Sequence, residues 1–371
     1  MMDKPNICLI SLTFAPDTQD GAAKFFTGIY NYLKTKDYNV KLITGKWNIE
    51  LSDPDIIQIK IIRRRFFWFP QFNLHTVKYL KRHNFDIFHG NSPKGVLPII
   101  LANHKRFIST IHDLGPFETQ FTRIPIEKVL IKYAVQKSTF ITTCSDSIRR
   151  EIKFYMPKVD INRIFNLYSA IEDKYRPLPK EAKELKEKLG IKGPVILYIG
   201  RIAKYKGVSD IIKAYKIAKK ELHNLNLVMG GKPDFYMEQT YQEWKKKYKD
   251  IYFVGFISER EIPTYYSMGD IFITYSYASE GFGLTPIESI ACGTPVICSA
   301  LSAYKEVLHD NAIFVPPKNP QQLAKEIVKL LKDDNKRKTL IEKAQAFVKR
   351  YTWDSVGKKL EVVYQKFLDN F

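Results

Sequence analysis

Cysteine and acid are scarce in this chain, and long apolar runs are missing. The four cysteines, Cys8, Cys144, Cys292 and Cys298, lie in or beside apolar runs, and none belongs to a Cys-x-x-Cys pair. That excludes a zinc knuckle and a disulfide framework and leaves buried free thiols. No stretch of about eighteen apolar residues occurs, so no transmembrane helix is expected. The opening MMDKPNICLISLTF runs straight into a strand-like segment without the shape of a cleaved signal, and a cytoplasmic chain is expected. Acidic residues number 39 against 59 lysines and arginines, a formal net charge of +20 carried by both halves of the chain. Such a field favours nucleotides, nucleic acid or an acidic membrane surface. No helix-turn-helix pattern, zinc finger or RNA-recognition stacking motif accompanies the charge, so nucleic acid is not the expected partner.

What is present is regular alternation. With 371 residues, 45% of them hydrophobic, the chain suits two domains. In the first half NICLISLTF, NVKLIT, DIIQIKII, DIFHG, RFISTIH and TFITTCS read as strands, separated by helical stretches such as GAAKFFTGIYNYLKTK. The second half repeats the scheme with PVILYIG, LNLVMGG, IYFVGF, DIFITYS, TPVICS and AIFVPP. Strands and helices in alternation predict two parallel sheets covered on both faces, that is, an α/β chain of two Rossmann-like domains with ligands at the strand carboxyl ends, in a cleft where the domains face each other. A linker is expected near Tyr175 to Pro179. The domains then run over 1–174 and 175–352, and 353–371 forms an amphipathic last helix.

The loops at strand ends hold the candidate chemistry. SEGFGLTPIESIACGTPVI reads as strand, glycine turn, helix: Gly281 and Gly283 let the backbone approach a ligand, and Pro286 falls in the first helical turn. The first N–H groups of that helix, from Leu284 and Thr285 on, suit phosphate. Glu280 and Glu288 flank it and offer acceptors to sugar or ribose hydroxyls, so a sugar nucleotide would use every part. The plainer reading is a tight turn with solvated glutamates, since glycine turns precede many helices. Arg201 and Lys206 in RIAKYKG also follow a strand and suit a diphosphate, or form an ordinary basic loop. Gly21 opens another helix after a strand. In IIRRRFFWFPQF, Arg63, Arg64 and Arg65 stand beside Phe66, Phe67, Trp68 and Phe69, a pattern suited to a lipid headgroup region or, more plainly, to a strand end followed by a solvated basic helix.

In order, YIGRIAKYKG, VGF at 254–256 and SEGFGLTPIESIACGTPVI resemble the donor half of the family-four retaining glycosyltransferases, which have the GT-B fold. The first half fits through DIFHG, TIHDLG, TTCSDSIRREI and FNLYSAIEDKYRP, so the resemblance covers essentially the whole chain. It implies two Rossmann-like domains with the last helix crossing back to the first. It also implies roles: Glu288 on the ribose hydroxyls, Glu280 with the backbone N–H groups of Phe282, Gly283 and Leu284 on the donor sugar, Arg201 and Lys206 on the diphosphate. His112 would sit beside the transferred sugar, Gly21 would let a loop approach the phosphates, and Phe256 would lie near the base. Two departures stand out: the family's paired glycine is Gly21-Ala22 here, and its Asn-Gly-Val-Asp is Ser169-Ala170-Ile171-Glu172.

The implied reaction moves a sugar from a UDP- or GDP-linked donor to a glycan, lipid-linked or small-molecule acceptor by same-face attack, with no cofactor and no metal. Preorganised cations would stabilise the departing diphosphate. Asp53-Pro54-Asp55 has the form of a metal-binding Asp-x-Asp, but it precedes a strand and contains proline, so a turn is expected. A nucleotide-sugar epimerase of the same fold would need an acid/base set facing the sugar, and a non-catalytic sensor could dispense with Glu280 and His112. Arg63, Arg64, Arg65, Phe66 and Trp68 would bring the first domain to the cytoplasmic face of an acidic membrane or to its acceptor.

Overall fold

The computed structural model describes residues 4–18, 20–62, 67–117, 125–278 and 280–370. The chain divides into two compact units, one comprising residues up to Ala170 together with Tyr351 onward, the other running from Ile171 to Arg350.

Unit 1 begins with β1 (Ile7–Ser11), α1 (Gly21–Thr35), β2 (Val40–Lys46), β3 (Ile56–Lys60), α2 (Trp68–Leu80), β4 (Ile87–Asn91) and α3 (Ser92–Leu101). It continues through β5 (Ile108–Ile111), α4 (Pro125–Lys137), β6 (Phe140–Thr143), α5 (Asp146–Tyr155) and β7 (Ile164–Asn166). The seven strands form one parallel sheet in the order β3-β2-β1-β4-β5-β6-β7. Every residue of β1 is buried, because both sheet faces are covered. Ile7 and Leu9 join one core cluster with Phe26, Ile29 and Leu33 of α1, while Cys8 and Ile10 join another with Phe72, Val96 and Ile99. This two-sided burial makes the strands read as continuous apolar runs. All four cysteines are buried thiols.

Unit 2 contains α6 (Pro179–Lys188), β8 (Val195–Ile199), α7 (Val208–Lys219), β9 (Asn226–Gly230), α8 (Glu238–Lys247), β10 (Ile251–Gly255) and α9 (Ile262–Met268). Then follow β11 (Ile271–Thr274), α10 (Leu284–Ala291), β12 (Val296–Ser299), α11 (Ser302–Leu308), β13 (Ile313–Val315), α12 (Pro320–Leu331) and α13 (Asp334–Val348). Its sheet is parallel with the order β10-β9-β8-β11-β12-β13. Each half is thus a doubly wound α/β unit.

The helix α14 (Trp353–Asp369) belongs to unit 1. Val356, Leu360, Val363, Tyr364 and Phe367 recur at helical spacing and enter the same core as Ile7 and Leu9. Its start packs closely on α1: a Cβ at Gly28 would fall 2.0 Å from the Trp353 ring. One strand was not legible in the sequence. β7 has three residues and pairs with β6 through Ile164, Phe165 and Asn166, too short a run to show a period.

Candidate functional site

In an open parallel sheet, ligands bind outside the carboxyl ends of the strands where the strand order reverses. Unit 1 reverses between β1 and β4. Ser11 closes β1, Asn91 closes β4, and His112 directly follows β5. The Asn91 amide donates to Ser11 Oγ at 2.8 Å and to the Ala22 carbonyl at 3.1 Å, and its Oδ1 lies 2.6 Å from His112 Nε2. Those donations fix which end of the amide is oxygen, so His112 carries its proton on Nε2 and keeps Nδ1 as an acceptor. Burial lowers the His112 pKa to about 4, against an opposing pull from Asp20. The ring stands edge-on to Phe25 with centroids 5.3 Å apart. Beneath it His89 is fully buried, with Nδ1 2.9 Å from the Tyr364 hydroxyl and Nε2 2.8 Å from Thr110 Oγ1. Burial, and then the neighbouring His112, push its pKa down to about 3.

Gly21 opens α1, as its position after a strand suggests, but Asp20 caps that helix by accepting from the Ala23 N–H at 2.9 Å. One orphan N–H is thereby satisfied and a carboxylate stands at the helix start, so local charge works against a phosphate there.

Unit 2 reverses between β8 and β11, and its sequence-expected residues gather at that point. Lys206 Nζ and Ser276 Oγ both donate to Glu280 Oε1, each at 2.5 Å. The pair is sheltered, with the Lys206 and Glu280 side chains 20% and 15% exposed. Burial pulls the Lys206 pKa down and Arg201 does so too, but Glu280 and Tyr205 outweigh them and the lysine stays charged. Arg201 is exposed, and its carbonyl accepts from the Tyr198 hydroxyl at 2.6 Å. Its guanidinium makes no ion pair within the described residues.

Two helices start beside this cluster, and glycine caps both. Gly207 (φ 64°) precedes α7 and Gly283 (φ 87°) precedes α10, and neither supplies a capping side chain. Glycine is required twice over at each. The left-handed backbone disfavours a Cβ, and one would lie 2.2 Å from the Tyr275 carbonyl or 2.7 Å from the Tyr304 ring. Gly281, Phe282, Leu284 and Thr285 line the start of α10, with Phe282 buried. Glu288, one turn into α10, is only 5% exposed; Tyr266 donates to its Oε2 at 3.1 Å, and Tyr175 also bonds it. Phe256 follows β10, is 59% exposed and carries Lys232 Nζ 4.7 Å over its ring.

Arg63, Arg64, Arg65 and Phe66 lie outside the described residues. Trp68 opens α2 half-buried, 6.0 Å from the Trp47 ring and packed on the core, which leaves Phe67 as the exposed aromatic of the pair. Asp53 and Asp55 form the expected turn ahead of β3: the Asp55 N–H donates to Asp53 Oδ1 at 2.9 Å, and Asp55 pairs with Lys34 and Lys41. Among the described residues no group of three or more His, Cys, Asp or Glu could hold a metal ion, and no helix is long and apolar enough to cross a membrane.

Sequence reasoning missed Asn91, Ser276, Tyr266 and Tyr175, all of which hold a named candidate residue in place. Asn91 and Ser276 each stand at or just beyond the end of a strand flanking the reversal, and that position was the available signal.

A family model described as "Glycosyl transferases group 1" matches residues 181–347, and one described as "Glycosyltransferase Family 4" matches 19–167. An uncharacterized glycosyltransferase of Methanocaldococcus jannaschii is 28% identical over 239 residues, 62% of this chain and 60% of that protein. The alpha-monoglucosyldiacylglycerol synthase of Acholeplasma laidlawii is 24% identical over 362 residues, 90% of this chain and 89% of that protein. HepE from Anabaena, solved in complex with UDP and glucose, superposes with a TM-score of 0.80 at 18% identity, covering 98% of this chain and all of that one (100%).

Proposed function

Because this chain belongs to the family-four glycosyltransferases of GT-B fold, we propose that it transfers a sugar from a UDP-linked donor, held by unit 2, to a lipid-borne acceptor. Transfer retains the anomeric configuration and needs no metal ion. The observation that carries this reading is the Lys206–Glu280–Ser276 cluster, set at the strand reversal beside two glycine-capped helix starts. A nucleoside diphosphate brings negative charge to a place where Lys206, Arg201 and two helix starts offer preformed donors. Those groups need not reorganise as charge builds on the leaving oxygen. Glu280 already spends Oε1 on Lys206 and Ser276, which orients Oε2 to accept from a sugar hydroxyl. Glu288, fixed by Tyr266 and Tyr175, receives the ribose hydroxyls, and Phe256 with Lys232 borders the base.

His112, neutral and bearing its proton on Nε2 against Asn91, orients the transferred sugar through Nδ1 and leaves the acceptor's proton to the departing phosphate. The uridine base is supported by the UDP bound to HepE, and the lipid acceptor by the name of the Acholeplasma relative.

The test is release of nucleoside diphosphate from a panel of uridine- and guanosine-linked sugars by the wild type, Glu288→Ala and Arg201→Ala, with and without chelator. Slow hydrolysis of one UDP-sugar is expected, lowered at least a hundredfold by either substitution and unaffected by chelator. Turnover of a GDP-sugar alone would overturn the choice of base. Turnover abolished by chelator would overturn metal independence, and full activity in both variants would overturn the site.

A further inference from the structure

A second charged feature lies away from the strand reversal of unit 1. A groove of about 980 Å³ runs along the edge strand β7 and the second half of α14. Four cations line it, Arg149, Arg163, Lys359 and Lys366, against the two carboxylates Asp160 and Asp369. Both carboxylates are occupied locally. Asp160 accepts from the Asn162 N–H at 2.9 Å, and Asp369 from Gln365 at 2.7 Å.

The cations are poorly matched. Arg149 reaches Asp146 only at 3.7 Å. Arg163 donates to the Val135 carbonyl at 3.2 Å, while Lys359 and Lys366 stand over the Tyr168 and Phe165 rings at 4.3 and 5.6 Å. None of these last three pairs with a carboxylate within the described residues. Burial lowers the Lys359 pKa, with Asp146 as the opposing charge. Three buried donors, Arg149 Nε, Arg163 Nε and Asn166 Nδ2, have no acceptor among the described residues. Buried donors left unmatched are costly and call for a partner. Water would satisfy the hydrogen bonds but would leave the cationic excess untouched, whereas an anion with several oxygens answers both.

Position separates this groove from the sugar chemistry. His112 and Asn91 stand at strand carboxyl ends. Phe140 opens β6 and Arg163 precedes β7, and both line the groove, so it reaches toward the strand amino ends.

We propose that the groove between β7 and α14 is a binding site for a phosphate-bearing anion, independent of the nucleotide-sugar site. Arginine guanidinium groups supply paired N–H donors to phosphate oxygens, and the lysines supply the compensating charge. The shared chemistry is a phosphate group, either on a soluble anion or on a lipid headgroup.

The test is isothermal titration of the whole chain with inorganic pyrophosphate, using wild type, Lys206→Gln, Arg163→Gln/Lys366→Gln and Arg163→Lys. One pyrophosphate site is expected to survive Lys206→Gln, to weaken at least tenfold in the double variant, and to persist in Arg163→Lys. Lys366→Gln alone, on the exposed face of α14, should weaken it several-fold with an unchanged near-ultraviolet circular dichroism spectrum. Equal affinity in the wild type and the double variant would overturn the proposal, as would loss of all pyrophosphate binding in Lys206→Gln. Sedimentation with phosphatidylglycerol vesicles tells the sources apart: weaker binding by the double variant identifies a headgroup, and unchanged vesicle binding with lost pyrophosphate identifies a soluble anion. Donor hydrolysis is read separately, so failure of the donor assignment leaves this result standing.

Discussion

At the scale of single residues, the first unit turns on Asn91. Its amide ties together the end of β1, the start of α1 and the ring of His112, and it sets the imidazole tautomer. Asn91→Asp places a carboxylate against Nε2 at that contact, which favours the charged imidazolium and raises the His112 pKa from about 4 into the weakly acidic range. The acid limb of the pH–rate profile should then move upward by at least one pH unit. Asn91→Asp also replaces a donor to Ala22 and Ser11 by an acceptor, a loss of about 1–3 kcal/mol in stability. An unmoved acid limb in a folded variant would remove His112 from the reaction. Of the residues gathered at the two strand reversals, Glu280, Glu288, Arg201 and Lys206 were legible because charged side chains directly after strands or beside helix starts stand out in a linear sequence. Ser276, Tyr266 and Tyr175 were not, since a buried hydroxyl that orients a carboxylate looks like any other serine or tyrosine until the fold brings it within hydrogen-bond reach.

At the scale of elements, the strands were legible for a physical reason. A parallel strand covered on both faces needs an apolar residue at nearly every position, as in ICLIS and VILYI, so it announces itself without alternation. The Asn-ended β7 lacked that length. Helix starts were legible where glycine marked them, and Gly283 is the sharpest case. Gly283→Ala must hold a left-handed backbone at a cost of about 1–2 kcal/mol and must also displace the Tyr304 ring, whose hydroxyl bonds Thr274 at 2.9 Å. A fall in melting temperature of several degrees, together with at least a tenfold rise in KM for the donor, is the expected outcome by calorimetry and kinetics. Melting and KM equal to the wild type would mean that the approach of α10 to its ligand does not depend on this glycine.

For the whole molecule, the formal charge of +20 gains direction from helix α4 of unit 1. Ile126, Val129 and Tyr133 are 59%, 59% and 39% exposed along one side of it, with Lys128 and Lys132 close by. Exposed apolar residues among lysines fit the headgroup region of an acidic bilayer. Binding to phosphatidylglycerol vesicles is expected to fall at least fivefold in Ile126→Asp/Val129→Asp and to weaken with added salt. Sedimentation of that variant to the same extent as the wild type would count against α4 as the contact.

Helix α14 carries one more consequence. Five of its side chains complete the core of unit 1, a burial worth on the order of 10 kcal/mol, comparable to the entire stability of an ordinary domain. Yet those residues are synthesised after all of unit 2. On the ribosome the first unit therefore waits, its α1 face uncovered, while the second emerges and can close its own core. The part of the chain that begins first finishes folding second.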